Sequence, residues 1–147
     1  MISAFWDSSA LMPLCLHEPT TLACKALRHS FERIVWWAAF VEIRSGIARG
    51  VRHGNLSAMQ SLEALDRLSE LRSGWNEILP SDDIRELAAG LLDQYDLRAA
   101  DSMQLAAPLL WCSRKPSGRT FICSDQKLCD AASLVGFSVI RPGSTTP

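Results

Sequence analysis

The chain begins Met1-Ile2-Ser3-Ala4-Phe5-Trp6-Asp7-Ser8-Ser9, an apolar run with two aromatic residues that stops at an acid and two serines. Short apolar runs bounded by polar residues are typical of buried strands. Similar runs occur further along the chain, at 34–37, 120–124, 137–140 and, more weakly, 75–79. The sequence therefore predicts a set of short buried strands, the first of which ends at Asp7.

Amphipathic helical patterns separate these runs. Apolar residues recur at steps of three and four in the segments 40–51, 56–68 and 84–92. The break at 53–55 suits a helical hairpin packed on one side of the strands. Near-continuous apolar strands that alternate with such helices predict an α/β sandwich, in which a mainly parallel sheet is covered by helices on both faces.

Length and composition predict one domain. The chain has 147 residues, of which 48% are hydrophobic and 21% are charged, close to the average for a soluble globular domain. A chain of this size buries roughly 70% of the surface that its unfolded form exposes, so it needs no disulfide or metal to form a core. We expect a single domain over residues 1–142. Residues 143–147 are small and polar and are predicted to form a flexible tail.

Charge and cysteine content exclude several functional classes. Fifteen basic and sixteen acidic residues give a net charge of -1, so a nucleic acid would have to bind through a local patch. The five cysteines form no CxxC pair, which disfavours a disulfide framework or a zinc site and favours a reducing cytoplasm. No apolar run approaches the ~20 residues of a membrane span, and no signal-peptide pattern precedes Asp7. We therefore expect a cytoplasmic protein that does not enter a membrane.

Four acidic residues are expected at one edge of the predicted sheet. Ligands of open α/β sheets bind beyond the carboxyl ends of the strands. Asp7 and Asp125 each follow a predicted strand, and Glu42 lies early in the helix after another strand. Asp101 lies in the first turns of a helix, roughly 98–112, that leads into the strand before Asp125, and in a parallel sheet such a helix starts at the carboxyl edge. The four carboxylates are therefore expected to converge.

A cluster of four carboxylates predicts a metal site. Within a few Å of one another, they cannot all ionise in an empty pocket, because each negative charge raises the pKa of the others. A divalent cation removes that conflict, and oxygen ligands favour Mg²⁺ or Mn²⁺ over zinc. A carboxylate cage with positions left for water and phosphate is typical of phosphodiester-cleaving enzymes. Glu42 shares a helical stripe with Gly46 and Arg49, and Gly46 is expected to leave space for a ligand beside the carboxylate.

Each acid taken alone also has an ordinary structural explanation. Asp7 and Asp125 are acceptable N-caps for the helices that follow them. Glu42 could pair with Arg49, and Asp101 with Arg98. These alternatives stay open for the single residues. The metal site is favoured because all four acids map to one edge.

Four stretches match, in order, the motifs of a known family. They are DSSAL at 7–11, VEIRSGIAR at 41–49, LRAADSMQLA at 97–106 and FICSDQKL at 121–128. In this combination the chain resembles the PIN-domain nucleases and, among them, the VapC-type toxins of bacterial toxin–antitoxin pairs. The resemblance spans almost the whole chain. It implies a PIN-like three-layer sandwich with a five-stranded sheet in the order 3-2-1-4-5, which brings the first and fourth strands together.

The resemblance also implies an activity and partners. A metal-dependent endoribonuclease of this family would use Asp7, Glu42, Asp101 and Asp125 to hold one or two Mg²⁺ or Mn²⁺ ions. A metal-activated water would cleave RNA to a 5′ phosphate and a 3′ hydroxyl. The family further implies a homodimer and a small antitoxin protein that packs an amphipathic segment near the site. Candidates for that contact are Trp36, Trp37 and Phe40, for which core packing is the alternative.

The chain departs from the family pattern in three places. Many relatives have a histidine at the position of Gln104 and small hydroxyl residues at those of Trp36 and Trp37, so substrate contacts near both places are expected to differ. Pro108 falls within the helix that follows Asp101, where it removes a hydrogen bond and is expected to kink or interrupt the helix. None of these departures removes an acid.

Two other functions are compatible with the sequence. One is a housekeeping PIN-family nuclease that processes RNA. The other is a non-catalytic flavodoxin-like module, such as a phosphoacceptor receiver. Receivers have paired acids early in the chain and a lysine that ends a late strand, whereas here the first strand yields only Asp7 and the late strand ends in Ser124-Asp125.

Basic residues and histidines give weaker signals. Basic residues occur in two stretches, 44–53 and 114–119, which are either local phosphate contacts or solvated faces. His17, His29 and His53 show no metal-ligand spacing, so we assign them no catalytic role.

Overall fold

The computed structural model describes residues 1–144. Its strands form one sheet and have the bounds β1 (Ile2–Trp6), β2 (Phe31–Trp36), β3 (Asn76–Ile78), β4 (Thr120–Ile122) and β5 (Ser138–Ile140). The order across the sheet is β3-β2-β1-β4-β5, and every neighbouring pair is parallel. The predicted α/β fold is confirmed, including the strand order that the family resemblance implies.

Helices connect the strands in the described part of the chain. Their bounds are α1 (Ser8–Cys15), α2 (Thr21–Ser30), α3 (Ala39–Arg52), α4 (Ala58–Ser73), α5 (Asp82–Gln94), α6 (Ala99–Trp111) and α7 (Gln126–Val135). Polar caps begin several of them. Ser57 and Gln60 form a capping box at the start of α4, and the Ser81 hydroxyl accepts the backbone N–H of Ile84 at the start of α5.

Two hydrophobic cores lie on opposite faces of the sheet. Side chains of a strand alternate between the faces, so that Phe5 of β1 packs with α5, α6 and α7, while Ala4 and Trp6 pack with α1, α3 and α4. The Phe5 and Phe121 rings are 5.0 Å apart at the centre of the α5/α6/α7 core. The sheet is therefore buried on both faces, as the near-continuous apolar runs predict.

The five cysteines are buried and unpaired. Two of them, Cys15 and Cys24, belong to the α1/α3/α4 core. The others, Cys112, Cys123 and Cys129, belong to the α5/α6/α7 core. No disulfide links any two of these five residues.

Pro108 does not interrupt α6. The helix continues through it to Trp111, and the backbone N–H of Cys112 donates to the Pro108 carbonyl at 3.0 Å. The proline leaves one carbonyl without its helical donor. Packing keeps the backbone helical at this point, because Leu105 and Leu109 are buried on either side of Pro108.

The C-terminal segment turns back at residue 143. Gly143 has a positive φ of 77°, and the backbone N–H of Ser144 donates to the Arg141 carbonyl at 3.2 Å. The remainder of the predicted tail, 145–147, lies outside the described residues. Among the helices of residues 1–144, none is long and apolar enough to cross a membrane.

Candidate active site

The fold brings the four predicted acids to one pocket at the carboxyl edge of the sheet. Asp7 follows β1, and its backbone N–H donates to the Ile122 carbonyl of the adjacent β4 at 2.9 Å. Asp125 follows β4 and caps α7, while Glu42 and Asp101 lie in the first turns of α3 and α6. All four line a pocket of about 750 Å³.

Asp7 is the most deeply buried of the four, with 3% of its surface exposed. It caps α1, because its Oδ2 atom accepts the backbone N–H of Ser9 at 3.1 Å and also accepts the Ser9 hydroxyl. Burial raises the pKa of Asp7 to about 7 against the lowering effect of the Ser9 hydrogen bonds, and the charges of Glu42 and Asp101 add to the increase. A helix N-cap does not need to be buried. Burial of the ionised Asp7 carboxylate therefore lowers the stability of the folded state.

The Ser9 hydroxyl joins the ends of β1 and β4. It donates to Asp7 and accepts the backbone N–H of Ser124 at 2.9 Å. Ser124 immediately precedes Asp125, so one hydroxyl fixes the Asp7 carboxylate relative to the segment that carries Asp125. A small hydroxyl residue two positions after the first acid is needed for this link.

Glu42 is held by two neutral donors. Ser8 donates its hydroxyl to Oε2 at 3.1 Å, and Gln104 donates its amide to Oε1 at 2.9 Å. Burial raises the pKa of Glu42, the hydrogen bonds from Gln104 and Ser8 lower it, and the charge of Asp101 raises it. No ion pair joins Glu42 to Arg49 in the described part of the chain, so the surface ion-pair alternative is not what orients this carboxylate.

Asp101 and Asp125 form the other half of the pocket. Burial raises the pKa of Asp101, as does the charge of Asp125, while a backbone hydrogen bond from Arg98 lowers it. Asp125 is exposed, and its Oδ1 atom accepts the backbone N–H of Leu128 at 3.0 Å. Asp125 is therefore a helix cap and lines the pocket at once.

The donor set fits a hard divalent cation in chemistry and charge. Carboxylate oxygens are the ligands that Mg²⁺ and Mn²⁺ prefer. Burial and, to a smaller extent, neighbouring acids raise the pKa values of Asp7, Glu42 and Asp101, and a bound cation would favour the ionised carboxylates. Among the described residues that line it, Arg49 is the one basic side chain.

The carboxylates are more widely spaced than the sequence suggests. Within residues 1–144, no three His, Cys, Asp or Glu side chains lie close enough together to hold one metal ion. The expected convergence within a few Å is therefore wrong for this arrangement of side chains. The physical reason is that each carboxylate points toward its own donors, Ser9 for Asp7, Ser8 and Gln104 for Glu42, and the α7 backbone for Asp125.

Gly46 does not leave open space beside Glu42. A Cβ atom at Gly46 would lie 2.3 Å from the methyl carbon of Met12, so the Met12 side chain fills the position. The glycine allows α1 and α3 to approach each other closely. It supports the wall of the pocket rather than a ligand.

Sequence reasoning missed a fifth acid and the partners of the first four. Glu18, in the loop between α1 and α2, also lines the pocket, and burial raises its pKa. It follows no strand and lies outside the periodic segments, so no local pattern identifies it. The contact of Gln104 with Glu42 spans 62 positions along the chain and is likewise invisible to local patterns.

The two basic stretches lie in different places. Arg49 lines the acidic pocket, whereas Arg44 and Arg52 line a groove on another side of α3. The stretch 114–119 precedes β4 and therefore lies at the amino edge of the sheet, opposite the acids. Only the first stretch reaches the pocket.

Of the three aromatic candidates for a partner contact, one is exposed. Trp36 is buried in the α5/α6/α7 core, and Phe40 is partly buried with the Arg72 guanidinium 4.3 Å from its ring centre. Trp37 has 51% of its surface exposed and follows the end of β2. Core packing therefore accounts for Trp36, and Trp37 is available at the surface of the chain.

Known proteins resemble the chain in structure. A chain of a toxin–antitoxin complex from Klebsiella pneumoniae superposes with a TM-score of 0.64 over 97% of this chain and 100% of that chain, at 19% sequence identity. PAE2754 from Pyrobaculum aerophilum superposes with a TM-score of 0.66 over 95% of this chain and 89% of that chain, at 15% identity. The likeness establishes the fold. No protein-family model and no curated protein matches the sequence.

Proposed function

We propose that this protein is a Mg²⁺- or Mn²⁺-dependent endoribonuclease of the PIN family, acting as the VapC-type toxin of a toxin–antitoxin pair. One observation carries the proposal. Asp7, Glu42, Asp101 and Asp125 come from four separate segments and line one pocket at the carboxyl edge of the sheet. Three of them have raised pKa values, which is a cost that structural caps do not require.

In this proposal the four acids would hold the cation, directly or through bound water. When bound, Mg²⁺ or Mn²⁺ supplies a water of lowered pKa and neutralises charge on the scissile phosphate. The chain's own residues provide position and charge. Ser9 fixes Asp7 at its Oδ2 atom, and Ser8 with Gln104 fixes both oxygens of Glu42, so that two carboxylates are oriented before substrate arrives.

The protonation of Asp7 in metal-free protein follows from the same residues. With its pKa raised to about 7, the Asp7 carboxyl is partly protonated at neutral pH. Cation binding requires the ionised form, so metal uptake at neutral pH should release a proton. Affinity for the cation is therefore expected to increase as the pH rises through 7.

The toxin role is supported by the fold shared with a chain of a toxin–antitoxin complex and by surface that suits a partner. Trp37 and Val41 expose 51% and 62% of their surfaces near the start of α3. In our proposal a small antitoxin covers apolar residues beside the pocket, and the active form is a homodimer. A receiver function is disfavoured, because Ser124 and Asp125, with no lysine, follow β4.

Activity is tested by incubating the purified protein with total RNA in EDTA, Mg²⁺ or Mn²⁺. Cleavage is expected only with a cation, and Asp7→Asn is expected to reduce it by at least about a hundredfold, because the charge is lost while the cap is kept. Asp66→Asn, which removes an exposed acid on α4, is the matched control. Wild-type cleavage by Asp7→Asn would exclude the metal site.

The toxin role needs a separate test in cells. Expression of the wild type should slow growth, Asp7→Asn should not, and a small protein encoded beside this one should restore growth and co-purify. If the purified protein cleaves RNA but both forms are harmless and no partner co-purifies, the housekeeping nuclease replaces the toxin.

A further inference from the structure

A second groove continues from the acidic pocket. It has a volume of about 730 Å³ and lies between the end of α1, one side of α3 and the start of α4. Glu18 and Arg49 line both this groove and the acidic pocket, so the two spaces meet at these residues. We refer to it as the α3 groove.

The helical repeat of α3 sets the direction of the groove. Glu42, Gly46, Arg49 and His53 are spaced by three or four positions and lie on one stripe of the helix. The stripe begins at the carboxylate of Glu42 and ends about 16 Å further along the helix axis, at a rise of 1.5 Å per residue. A chain molecule bound at the acids could therefore extend along this stripe.

The composition of the α3 groove suits a nucleotide. Arg49 stands at its junction with the acids and forms no ion pair with another described residue, so its guanidinium is available to a phosphate. Further along, His53 and Asn55 offer donors and acceptors for a base edge, and Leu56 offers an apolar contact.

Backbone packing at Gly50 keeps Leu56 in the wall of this groove. A Cβ atom at Gly50 would lie 2.6 Å from the Leu56 side chain, and the backbone N–H of Leu56 donates to the Gly50 carbonyl at 3.0 Å. Asn55 donates its N–H to the same carbonyl at 2.8 Å. The turn that presents Asn55 and Leu56 is therefore anchored to α3.

The geometry points to the α3 groove as a binding site for single-stranded RNA next to the scissile phosphate, with Arg49 on a flanking phosphate and His53 and Asn55 on the neighbouring base. This inference rests on the proposed nuclease function and extends it to substrate selection. Single strands are favoured over duplexes, because only unpaired bases can enter a groove and present their edges to side chains.

Arg67 also lines the α3 groove, but it donates to the Cys15 carbonyl at 3.0 Å and pairs with Glu63 at 3.7 Å. Two further pairs of basic residues lie elsewhere. Arg44 and Arg52 belong to the same helix but line a separate groove with Val41, Val51 and Leu65. Arg114 and Lys115 lie at the opposite edge of the sheet. They offer a matched control, since their removal changes the net charge without touching the α3 groove.

Binding is measured first, without catalysis. Anisotropy of a fluorescein-labelled single-stranded RNA of about ten nucleotides and mixed sequence is followed in EDTA with the full chain, this length being within the range of single-strand site sizes. Arg49→Gln is expected to weaken binding about tenfold and to lower the salt slope by about 1. Arg49→Lys should keep most of the affinity. The Arg114→Gln/Lys115→Gln variant should remain within about twofold of the wild type, since its phosphate contacts are not involved.

Selection is measured at the cut sites. Ends produced from total RNA are sequenced for the wild type, His53→Ala and Asn55→Ala, both exposed positions whose truncation should leave the fold intact. A changed base preference on one side of the cut is expected. The same cut-site profile for all three, or unchanged affinity in Arg49→Gln, overturns the groove as an RNA site.

The two proposals fail in distinguishable ways. If cleavage depends on a metal but Arg49→Gln binds RNA normally, the proposed nuclease function stands and the RNA site in the α3 groove is rejected. If RNA binding depends on Arg49 but no cation supports cleavage, the RNA site in the α3 groove stands and the proposed nuclease function is rejected. Equal competition by a duplex of the same sequence would contradict the single-strand assignment.

Discussion

The two edges of the sheet differ in how deeply their charged side chains are buried. At the carboxyl edge, Asp7 is buried, Glu42 and Asp101 are partly buried, and the pKa of each is raised. At the amino edge, Arg114 and Lys115 are exposed in the loop before β4. Solvated charge costs little, whereas buried like charge lowers stability. This contrast is what the proposed cation site at the carboxyl edge predicts.

The largest expected effect that tests this contrast is a change with pH in the free energy of unfolding of the metal-free protein. The pKa of Asp7 is about 7 when folded, against a reference value of 3.8, so the folded state holds the proton more tightly. The stabilisation that the protonated Asp7 gives the folded state is therefore fully present below pH 4, and it is lost as the pH rises to 7 and above. The loss amounts to about 4 kcal/mol at most.

Asp7→Asn should remove this component, because Asn keeps the cap and cannot ionise. We expect its free energy of unfolding in EDTA to exceed that of the wild type at pH 8 and to approach it at pH 4.5. Urea denaturation at both pH values measures the difference, with Asp66→Asn as control. Parallel pH profiles for Asp7→Asn and the wild type would mean that burial of Asp7 carries no electrostatic cost.

Next in size is the effect of Gln104, which positions Glu42. Gln104→Leu keeps the packing of α6 but removes the hydrogen-bond donor to the Oε1 atom of Glu42. We therefore expect about tenfold weaker Mn²⁺ binding and slower cleavage. Stability should not fall, because the buried Oε1 of Gln104 lacks a partner among the described residues.

Gln104→His tests the same contact by rescue, since histidine can also donate. Calorimetric titration with Mn²⁺ and initial cleavage rates compare the two variants. If the leucine variant binds and cleaves like the wild type, Gln104 has only a packing role.

Asp125 should show a smaller effect, because it is the exposed member of the acidic set. Asp125→Asn is expected to keep the cap of α7 and the thermal stability but to reduce cleavage, since the charge is lost. Asp125→Ala should in addition lose about 1 kcal/mol of stability. Full cleavage by the Asn variant across a Mg²⁺ titration would make Asp125 a cap and leave Asp7, Glu42 and Asp101 as the metal site.

The smallest predicted effect lies at the amino edge. Ser113 and Arg114 lie in the loop after α6 and have φ values of 54° and 59°, a region in which L residues are strained. Arg114→Gly should raise the free energy of unfolding by roughly 0.5–1 kcal/mol and leave cleavage unchanged. Arg114→Ala, which removes the same side chain without relieving the backbone, is the control. A denaturant midpoint that is equal for both variants would show that no strain is stored there.

The sequence predicts the sheet better than it predicts the pocket. Each strand is a local apolar run, and the edge at which Asp7 and Asp125 lie follows from the direction of parallel strands. Bounds moved by a few residues, since β2 begins at Phe31 and β4 ends at Ile122. Helix α2, in which Thr21 and Cys24 are the buried residues, is not among the predicted elements.

Details of the pocket depend on contacts that local patterns do not contain. Ser8 and Gln104 reach Glu42 across 34 and 62 positions, and Glu18 enters from a loop. The spacing between carboxylates depends on side-chain rotamers, which follow from these donors. For the same reason the space predicted beside Gly46 is taken by Met12, a residue from another helix.

The buried thiols are divided between the two cores, so the rate of thiol modification can be measured separately for each face of the sheet. Cys15 and Cys24 are sealed beneath α1 and its neighbours, and Cys112, Cys123 and Cys129 beneath the helices of the other face. A thiol-alkylating reagent can reach a buried sulfur only when the layer above it opens, so modification rates report the free energy of that opening. If one layer loosens before the other, mass spectrometry of the labelled peptides will show two rates, assigned to the two faces without any engineered probe.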